Sequence, residues 1–199
     1  MSEPVVAGLV LAADGTGTAG RPTPLLPYAG RTLLDHTLAT ARACEFAQLL
    51  VALDRPGKVR ERCNLAGAQI VATVPAAVDA LDPATTVLVL LRADQPGVTP
   101  AAVRVLLAAR GDALVAACRY EDGRGYPYAF ASEVFDELRS GATPDDYDVA
   151  EVPVAGPAPL DVDTWADYEA VVAAAGEPLS AGVMVAPALA GARRRGLRD

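Results

Sequence analysis

The fold of this protein is decided by the segment LVLAADGTGTAGRPTPLLP, residues 9–27 of the 199-residue chain. Its first residues continue an apolar run that starts near Val5, which is typical of a buried strand. The pattern Gly15-x-Gly17-x-x-Gly20 follows directly. A glycine-rich loop after a strand can direct successive backbone N–H groups at phosphate oxygens. We therefore expect an α/β fold with an anion-binding loop at the end of its first strand.

Two familiar phosphate-binding motifs do not match this loop. The dinucleotide fingerprint needs a helix that begins within the glycines, so that the pyrophosphate lies on its N-terminus. Here Pro22, Pro24 and Pro27 prevent a helix until about Thr32. Asp54 also comes too late to be the acidic residue that ends the second strand of that fingerprint. The Walker pattern fails because the loop has no Gly-Lys-Ser/Thr.

Along the chain, short apolar runs alternate with stretches in which apolar residues have helical spacing. The strands are expected at Val5–Ala12, Gln48–Leu53, Gln69–Thr73, Thr86–Leu91 and Asp112–Cys118. The helices are expected at Thr32–Cys44, Gly57–Ala66, Ala76–Leu81 and Pro100–Ala109, the last with Thr99 as its cap. Strands that are apolar throughout belong to a parallel sheet covered on both faces. The pattern predicts a three-layer α/β sandwich with a Rossmann-like, mostly parallel sheet.

The regular alternation of predicted strands and helices changes after Cys118. We expect an extended segment at Gly125–Ala131, a short helix at Ser132–Leu138, a strand at Val149–Val154 and a helix at Thr164–Ala175. Residues 1–175 are then one domain. Residues 176–199, rich in Pro, Gly, Ala and Arg, are expected to be a flexible tail.

Composition restricts the class of partner. The chain has 17 Lys plus Arg against 25 Asp plus Glu, a formal net charge of −8, and Lys58 is its single lysine. This balance argues against nucleic acid or an anionic membrane surface as a partner. A single histidine, His36, excludes a multi-histidine zinc site. The odd number of cysteines, three, is typical of a reducing cytoplasm, and no apolar run is long enough to span a bilayer.

Four collinear segments carry a resemblance to a known family. They are LVLAADGTGTAGRPTPLLPYAGRTLLDHTL (9–38), VLVLLRADQPGVTPAAV (87–103), GYPYAF (125–130) and LDVDTWADYEAV (160–171). Together they resemble the molybdenum-cofactor nucleotidyltransferases, especially the cytidylyltransferase branch, over about residues 5–172. The resemblance implies transfer of a nucleoside monophosphate from a nucleoside triphosphate to a phosphorylated acceptor, with Mg²⁺ as cofactor and release of pyrophosphate.

The resemblance also assigns roles to residues of the loop. It places Ala12, Ala13, Asp14, Gly15, Gly20 and Arg21 against the nucleotide. Asp14 stands where the family prefers glycine, which brings a carboxylate next to the expected triphosphate. Thr18 stands where the family has its catalytic arginine, and Thr23 where it has its lysine. Loss of such a group raises the barrier by about 3–4 kcal/mol. We therefore expect impaired or lost transfer, with no catalytic residue intact.

A second departure follows the third strand. The family continues there into a Gly- and Ser-rich segment that contacts the base and ribose, whereas this chain passes from Thr73 almost directly into its next helix. The side of the pocket that would recognise the base is therefore expected to be incomplete.

The metal positions have two interpretations. Asp94 follows the fourth strand, at the carboxyl end where open sheets place ligands, and is expected to hold the metal; otherwise it caps the turn or the next helix. Asp161 is a candidate second ligand. Asp163 is expected to cap the last helix, with Thr164 as the other candidate for the cap.

Three functions compete. The first is a nucleotidyltransferase that uses Mg²⁺. The second is a binding or regulatory protein on the same scaffold, without catalysis and with a possible protein partner. The third is a glycosyltransferase-like enzyme that uses the Asp161-x-Asp163 pair, and it is the weakest because these carboxylates come late in the chain. The GYPYAF strand either lines the substrate cleft or is a buried edge.

Overall fold

The computed structural model describes residues 3–12, 22–53 and 57–176. Nine strands are described in these ranges: β1 Val6–Leu11, β2 Pro27–Tyr28, β3 Arg31–Thr32, β4 Gln48–Ala52, β5 Gln69–Val71, β6 Val87–Arg92, β7 Val115–Tyr120, β8 Gly123–Ala131 and β9 Ala150–Pro153. The helices are α1 Leu33–Arg42, α2 Gly57–Arg62, α3 Val74–Asp79, α4 Pro100–Ala109, α5 Phe135–Arg139 and α6 Trp165–Ala174. Short 3₁₀ turns lie at Thr23–Leu25, Ser132–Val134 and Pro144–Asp146.

The main sheet confirms the predicted α/β class. Its order among the described residues is β5-β4-β1-β6-β8-β7-β9, and β8 runs antiparallel to both of its neighbours while the other pairs are parallel. The segment expected to be merely extended at Gly125–Ala131 is therefore the one reversed strand. β2 and β3 form a separate two-stranded hairpin that the sequence pattern did not predict.

Alternate residues of the central strand β6 face two different helical layers. Val87, Val89 and Leu91 pack in the core that includes α1, α2 and α4. Leu88 and Leu90 pack in the core that includes α3 and α5. The strand is buried on both faces, which explains why it is apolar throughout and shows no alternation of polar and apolar residues. The result is the predicted three-layer sandwich.

A third, smaller core joins the end of the domain to its beginning. Leu26 and Leu33 pack against Tyr168 and other residues of α6. The Tyr168 hydroxyl donates a hydrogen bond to the Pro27 carbonyl oxygen at 2.6 Å. Helix α6 is therefore packed against residues next to β2 and at the start of α1, while the domain boundary at residue 175 stays a prediction. Of the predicted tail, residues 177–199 lie outside the described residues.

Helix starts follow the capping residues more closely than the apolar pattern. Helix α3 begins at Val74, two residues before the expected Ala76, because the Thr73 hydroxyl accepts a hydrogen bond from the Ala76 amide and Pro75 fits the first turn. Thr99 caps α4 in the same way, as predicted. In the described ranges, no helix is both long enough and apolar enough to cross a bilayer.

Gly8 in β1 lets an aromatic ring approach the sheet backbone. A Cβ atom at this position would lie 2.2 Å from Cδ2 of Phe46, which packs against the core of α1 and α4. Such a distance is far inside van der Waals contact, so the ring and a larger side chain cannot both keep their places.

We predict that Gly8→Ala lowers the free energy of unfolding by about 1–3 kcal/mol through overpacking. In a Phe46→Ala background the same substitution should cost clearly less, because the ring atoms that would clash are gone. Gly125→Ala in β8 is the matched control, since its Cβ would meet the Tyr120 ring at an ordinary 3.5 Å. Denaturant unfolding of the unmodified protein, the two single variants at Gly8 and Phe46, and the double variant measures how strongly the two positions are coupled. Equal costs of Gly8→Ala in both backgrounds would contradict this prediction.

Candidate functional site

The candidate site lies where the central strands end. Residues Leu11 of β1 and Arg92 of β6 are paired in register, and the Ala93 amide donates to the Leu11 carbonyl oxygen at 2.8 Å. Ala12 follows β1 at this edge and is buried. Carboxyl ends of parallel strands are where open α/β sheets bind ligands. The edge therefore brings the end of the loop-bearing strand next to Asp94.

Asp94 is engaged by an arginine of its own strand. The Arg92 Nε donates to Asp94 Oδ1 at 2.8 Å, and Nη2 donates to Oδ2 at 2.5 Å. This is the bidentate geometry in which a guanidinium binds a carboxylate most strongly. The two side chains are 28% and 21% exposed, so the pair is largely shielded from water. The hydrogen bond to Asp94 is also the main cause of the raised pKa of Arg92.

Two further carboxylates reach the same guanidinium from the segment before α6. The Val162 amide donates to the Asp94 carbonyl oxygen at 3.0 Å, which holds this segment against the strand end. Asp161 Oδ1 then lies 3.8 Å from Arg92 Nε, and Asp163 Oδ1 lies 3.7 Å from Nη2. Both distances are too long for hydrogen bonds, but they are within the range of ion pairs. The structure thus brings the predicted residues Asp94 and Asp161 together around one cation.

Asp161 is held in an environment that does not favour its charge. Burial raises its pKa, the neighbouring Asp94 raises it further, and Arg92 opposes both. Its Oδ1 is buried without a hydrogen-bond partner in the described ranges, and the same holds for Oε1 of the adjacent buried Gln95. A buried acceptor without a donor costs stability.

The helix caps that the sequence assigned to these aspartates belong to threonines. Helix α4 is capped by Thr99, so Asp94 does not cap it. Helix α6 is capped by Thr164 in a capping box with Asp167, and the prediction of Asp163 as the cap is therefore wrong. The threonine prevails because Asp167 stands three residues after it and accepts a hydrogen bond from the Thr164 amide at 2.7 Å.

The loop residues are divided between described and undescribed parts of the chain. Thr23 lies in the 3₁₀ turn Thr23–Leu25 and is only 5% exposed. The position that the resemblance assigns to the lysine is thus a buried neutral side chain. The remaining predicted nucleotide contacts lie outside the described residues: Ala13, Asp14, Gly15, Thr18, Gly20 and Arg21.

Strand β8 contributes a wall to this region. Tyr126 lies with its ring centroid 5.6 Å from Cζ of Arg92, within the range of a cation–π contact. Tyr126, Tyr128 and Phe130 line a cavity of about 400 Å³, together with Leu11 of β1 and residues of α3 and α5. Tyr128 and Phe130 are buried, so the strand is both a core element and the lining of a cavity beside the carboxylates.

The residue that sequence reasoning missed is Arg92. One signal could have found it, because β6 reads VLVLLR and ends an otherwise apolar strand on a cation. Residues two apart at a strand end lie on the same side, so this spacing could have placed Arg92 beside Asp94. Its contacts with Asp161 and Asp163 have no comparable local signal.

The resemblance implies that Asp94 and its neighbours bind Mg²⁺. Carboxylate oxygens are the ligands that Mg²⁺ prefers. Both oxygens of Asp94, however, accept hydrogen bonds from Arg92. In the part of the chain that the structure describes, no group of three or more His, Cys, Asp or Glu side chains is arranged to hold a metal ion. In this arrangement the residues do not fit a divalent ion.

Comparison with solved structures gives relatives over most of the chain. A homologue of Mycobacterium tuberculosis Rv0371c from Mycobacterium sp. strain JC1 is 35% identical, with a TM-score of 0.79, and the match covers 85% of this chain and 96% of the other. Rv0371c from M. tuberculosis H37Rv, in complex with manganese, is 34% identical with a TM-score of 0.77, covering 86% of this chain and all of the other.

A nucleotidyl transferase from Methanothermobacter shares the fold, at 19% identity and a TM-score of 0.69, with 85% of this chain and 97% of the other covered. A comparison with curated proteins finds no significant match. Residues 8–152 match the model of the MobA-like NTP transferase domain, which spans β1 to β9 and includes the Arg92–Asp94 pair. The chain therefore belongs to the MobA-like NTP transferase family of nucleotidyltransferases.

Proposed function

We propose that this protein is a nucleotidyltransferase-like protein of the molybdenum-cofactor cytidylyltransferase type in which nucleotidyl transfer is impaired or lost. Family membership supports a nucleotide as the ligand. The observation that carries the proposed loss is the charge of the described site, where one guanidinium faces three carboxylates, Asp94, Asp161 and Asp163. Nucleotidyl transfer depends on cations that neutralise charge developing on the phosphate oxygens.

The sign of this charge opposes a triphosphate. Arg92 is compensated by Asp94 through two hydrogen bonds, and two further carboxylates remain within 4 Å of it. The positions that would add positive charge, Thr18 and Thr23, are neutral. Each missing group of this kind raises the barrier by about 3–4 kcal/mol. Two such losses correspond to a rate decrease of at least about 10⁴-fold.

Magnesium enters this proposal only for an active form. The complex of Rv0371c with manganese supports a divalent ion in a relative at 34% identity. In this chain Asp94 and Asp161 are the proposed oxygen ligands for such an ion. Asp94 is available for that role only when it is not bound to Arg92.

The second candidate is a non-catalytic binding or regulatory protein on the same scaffold. The cavity of about 400 Å³ beside the site favours it, because its lining is largely aromatic and aliphatic. Such a cavity suits a ligand of low polarity or a small phosphorylated ligand with an apolar part. In this proposal the protein acts in a reducing cytoplasm and binds a protein partner. The glycosyltransferase-like alternative has less support, because Asp161 and Asp163 both face a guanidinium.

The first test is nucleotidyl transfer itself. We expect no pyrophosphate release above background from CTP, GTP or ATP with Mg²⁺, and a negligible shift of the melting temperature. A ligand at about 100 times its Kd would stabilise the protein by about 2.7 kcal/mol, which a thermal unfolding scan detects easily.

Thr18→Arg with Thr23→Lys should create measurable nucleotide binding, because it restores both cations. Thr18→Gln with Thr23→Met is the matched control of similar length without charge.

Rapid pyrophosphate release by the unmodified protein would contradict the proposed loss of catalysis. Because Thr23 is buried, Thr18→Arg alone serves as a second variant if the double variant does not fold. A folded double variant that binds no nucleotide would show that the short connection between β5 and α3 is the larger defect.

The raised pKa of Asp161 gives a separate prediction about pH. A carboxyl whose pKa is raised by folding destabilises the folded protein once it is ionised, above its folded-state pKa. Asp161→Asn should therefore raise the melting temperature at about pH 7, and the gain should disappear as the pH falls below the ordinary carboxyl range. Thermal unfolding at a series of pH values measures this difference.

Asp167 is the matched control of opposite sign. Hydrogen bonds from Thr164 lower its pKa, so its ionised form stabilises the fold, and that stabilisation is lost as the pH falls through its folded-state pKa. Asp167→Asn should lower the melting temperature at about pH 7, and this loss should shrink as the pH falls below the ordinary carboxyl range. A loss of stability in Asp161→Asn at neutral pH would mean that its attraction to Arg92 outweighs its burial.

A further inference from the structure

We propose that Arg92 is a resident cation that keeps divalent metal ions out of this site. Its guanidinium lies within 4 Å of both Asp94 and Asp161, the two residues expected to hold a metal ion. Divalent ions are excluded because Arg92, the last residue of β6, already neutralises these carboxylates. This inference deepens the proposed function, and its test uses a metal ion alone.

The distances place one cation among three carboxylates. Asp94 binds the guanidinium through both oxygens at 2.8 and 2.5 Å, and Asp161 and Asp163 approach it at 3.8 and 3.7 Å. A divalent ion that bridged these carboxylates directly or through its waters would have to lie where the guanidinium lies. Two cations cannot share that volume, since their repulsion in a partly buried site is poorly screened.

The guanidinium is held from several sides. Arg92 is the last residue of β6 and is paired in register with Leu11 of β1. The Tyr126 ring lies 5.6 Å from Cζ on the side of β8. Asp94 is held in turn by the hydrogen bond from the Val162 amide to its carbonyl oxygen. Removal of Arg92 from Asp94 would leave a half-buried carboxylate without its counter-charge, which is strongly unfavourable.

Without the guanidinium, the same geometry leaves an acidic cluster. Asp94, Asp161 and Asp163 all lie within 4 Å of the guanidinium and would lose the cation that they share. Three uncompensated carboxylates attract a hard divalent cation, and Mg²⁺ or Mn²⁺ can reach separated oxygens through retained waters. These carboxylates are not arranged as a metal site while Arg92 holds Asp94, so we expect loss of the guanidinium to free Asp94 and to let the three groups close on a divalent ion.

The test is Mn²⁺ binding without nucleotide, measured by the loss of the free-ion electron paramagnetic resonance signal. The unmodified protein should bind Mn²⁺ no better than background. Arg92→Met should bind it at least about tenfold more tightly. Arg92→Lys, which keeps the charge without the bidentate fork, should remain close to the unmodified protein. In Arg92→Met with Asp94→Asn, the gained binding should be lost.

Arg119→Met is the matched control for general effects of charge. Arg119 lies in β7 of the same sheet and pairs with Glu151 at 3.4 Å, so its removal also frees a carboxylate. It should not create Mn²⁺ binding, because a single exposed carboxylate is not a chelating site. Circular dichroism and thermal unfolding confirm the fold of each variant. Arg92→Gln replaces Arg92→Met if the latter does not fold.

Two results would overturn the inference. One is tight Mn²⁺ binding by the unmodified protein that Asp94→Asn abolishes, because Arg92 would then not exclude the ion. The other is a folded Arg92→Met and a folded Arg92→Gln that both bind no Mn²⁺, because the carboxylates would then not form a metal site at all. Neither result decides the proposed function, which is tested by pyrophosphate release from nucleotides.

Discussion

The bidentate pair between Arg92 and Asp94 is the central charge interaction of the described site. The pair forms at the sheet edge because Arg92 is the last residue of β6. The strand lies between β1 and β8, with both faces buried. Its last residue therefore emerges at the carboxyl edge of the sheet, among the other strand ends where ligands of open α/β sheets bind. A guanidinium at this point has a fixed neighbour two residues further along the chain. Among the described residues, the charges at this edge are arranged around that one interaction.

The rest of the structure supports this edge from a distance. The small core around Tyr168 holds α6 against the hairpin of β2 and β3, and the segment before α6 is consequently held near Asp94. This is how Asp161 and Asp163 reach a cation in the middle of the sheet. The burial that raises the pKa of Asp161 results from the same packing. In the described part of the chain, this edge combines three carboxylates around Arg92 with an apolar cavity beside them.

Membership in the MobA-like NTP transferase family is compatible with the proposed loss of its chemistry, because a fold does not determine the reactions of its site. The layers, the strand order and the position of the cleft depend on many buried residues. Catalysis depends on a few charges. Under the proposed loss of catalysis, the neutral residues at positions 18 and 23 leave the scaffold intact but remove two of the positive charges on which nucleotidyl transfer depends.

Local signals in the sequence determined the class of the fold, most strand and helix positions and the absence of the two loop cations. Apolar runs, proline positions and threonine caps act over a few residues, so they can be interpreted without the fold. Asp94 was recognisable from its position after a strand. The antiparallel pairing of β8 with β6 and the meeting of Arg92 with Asp161 and Asp163 became evident only from the tertiary structure. These features join residues far apart in the chain, and their geometry depends on how the layers pack.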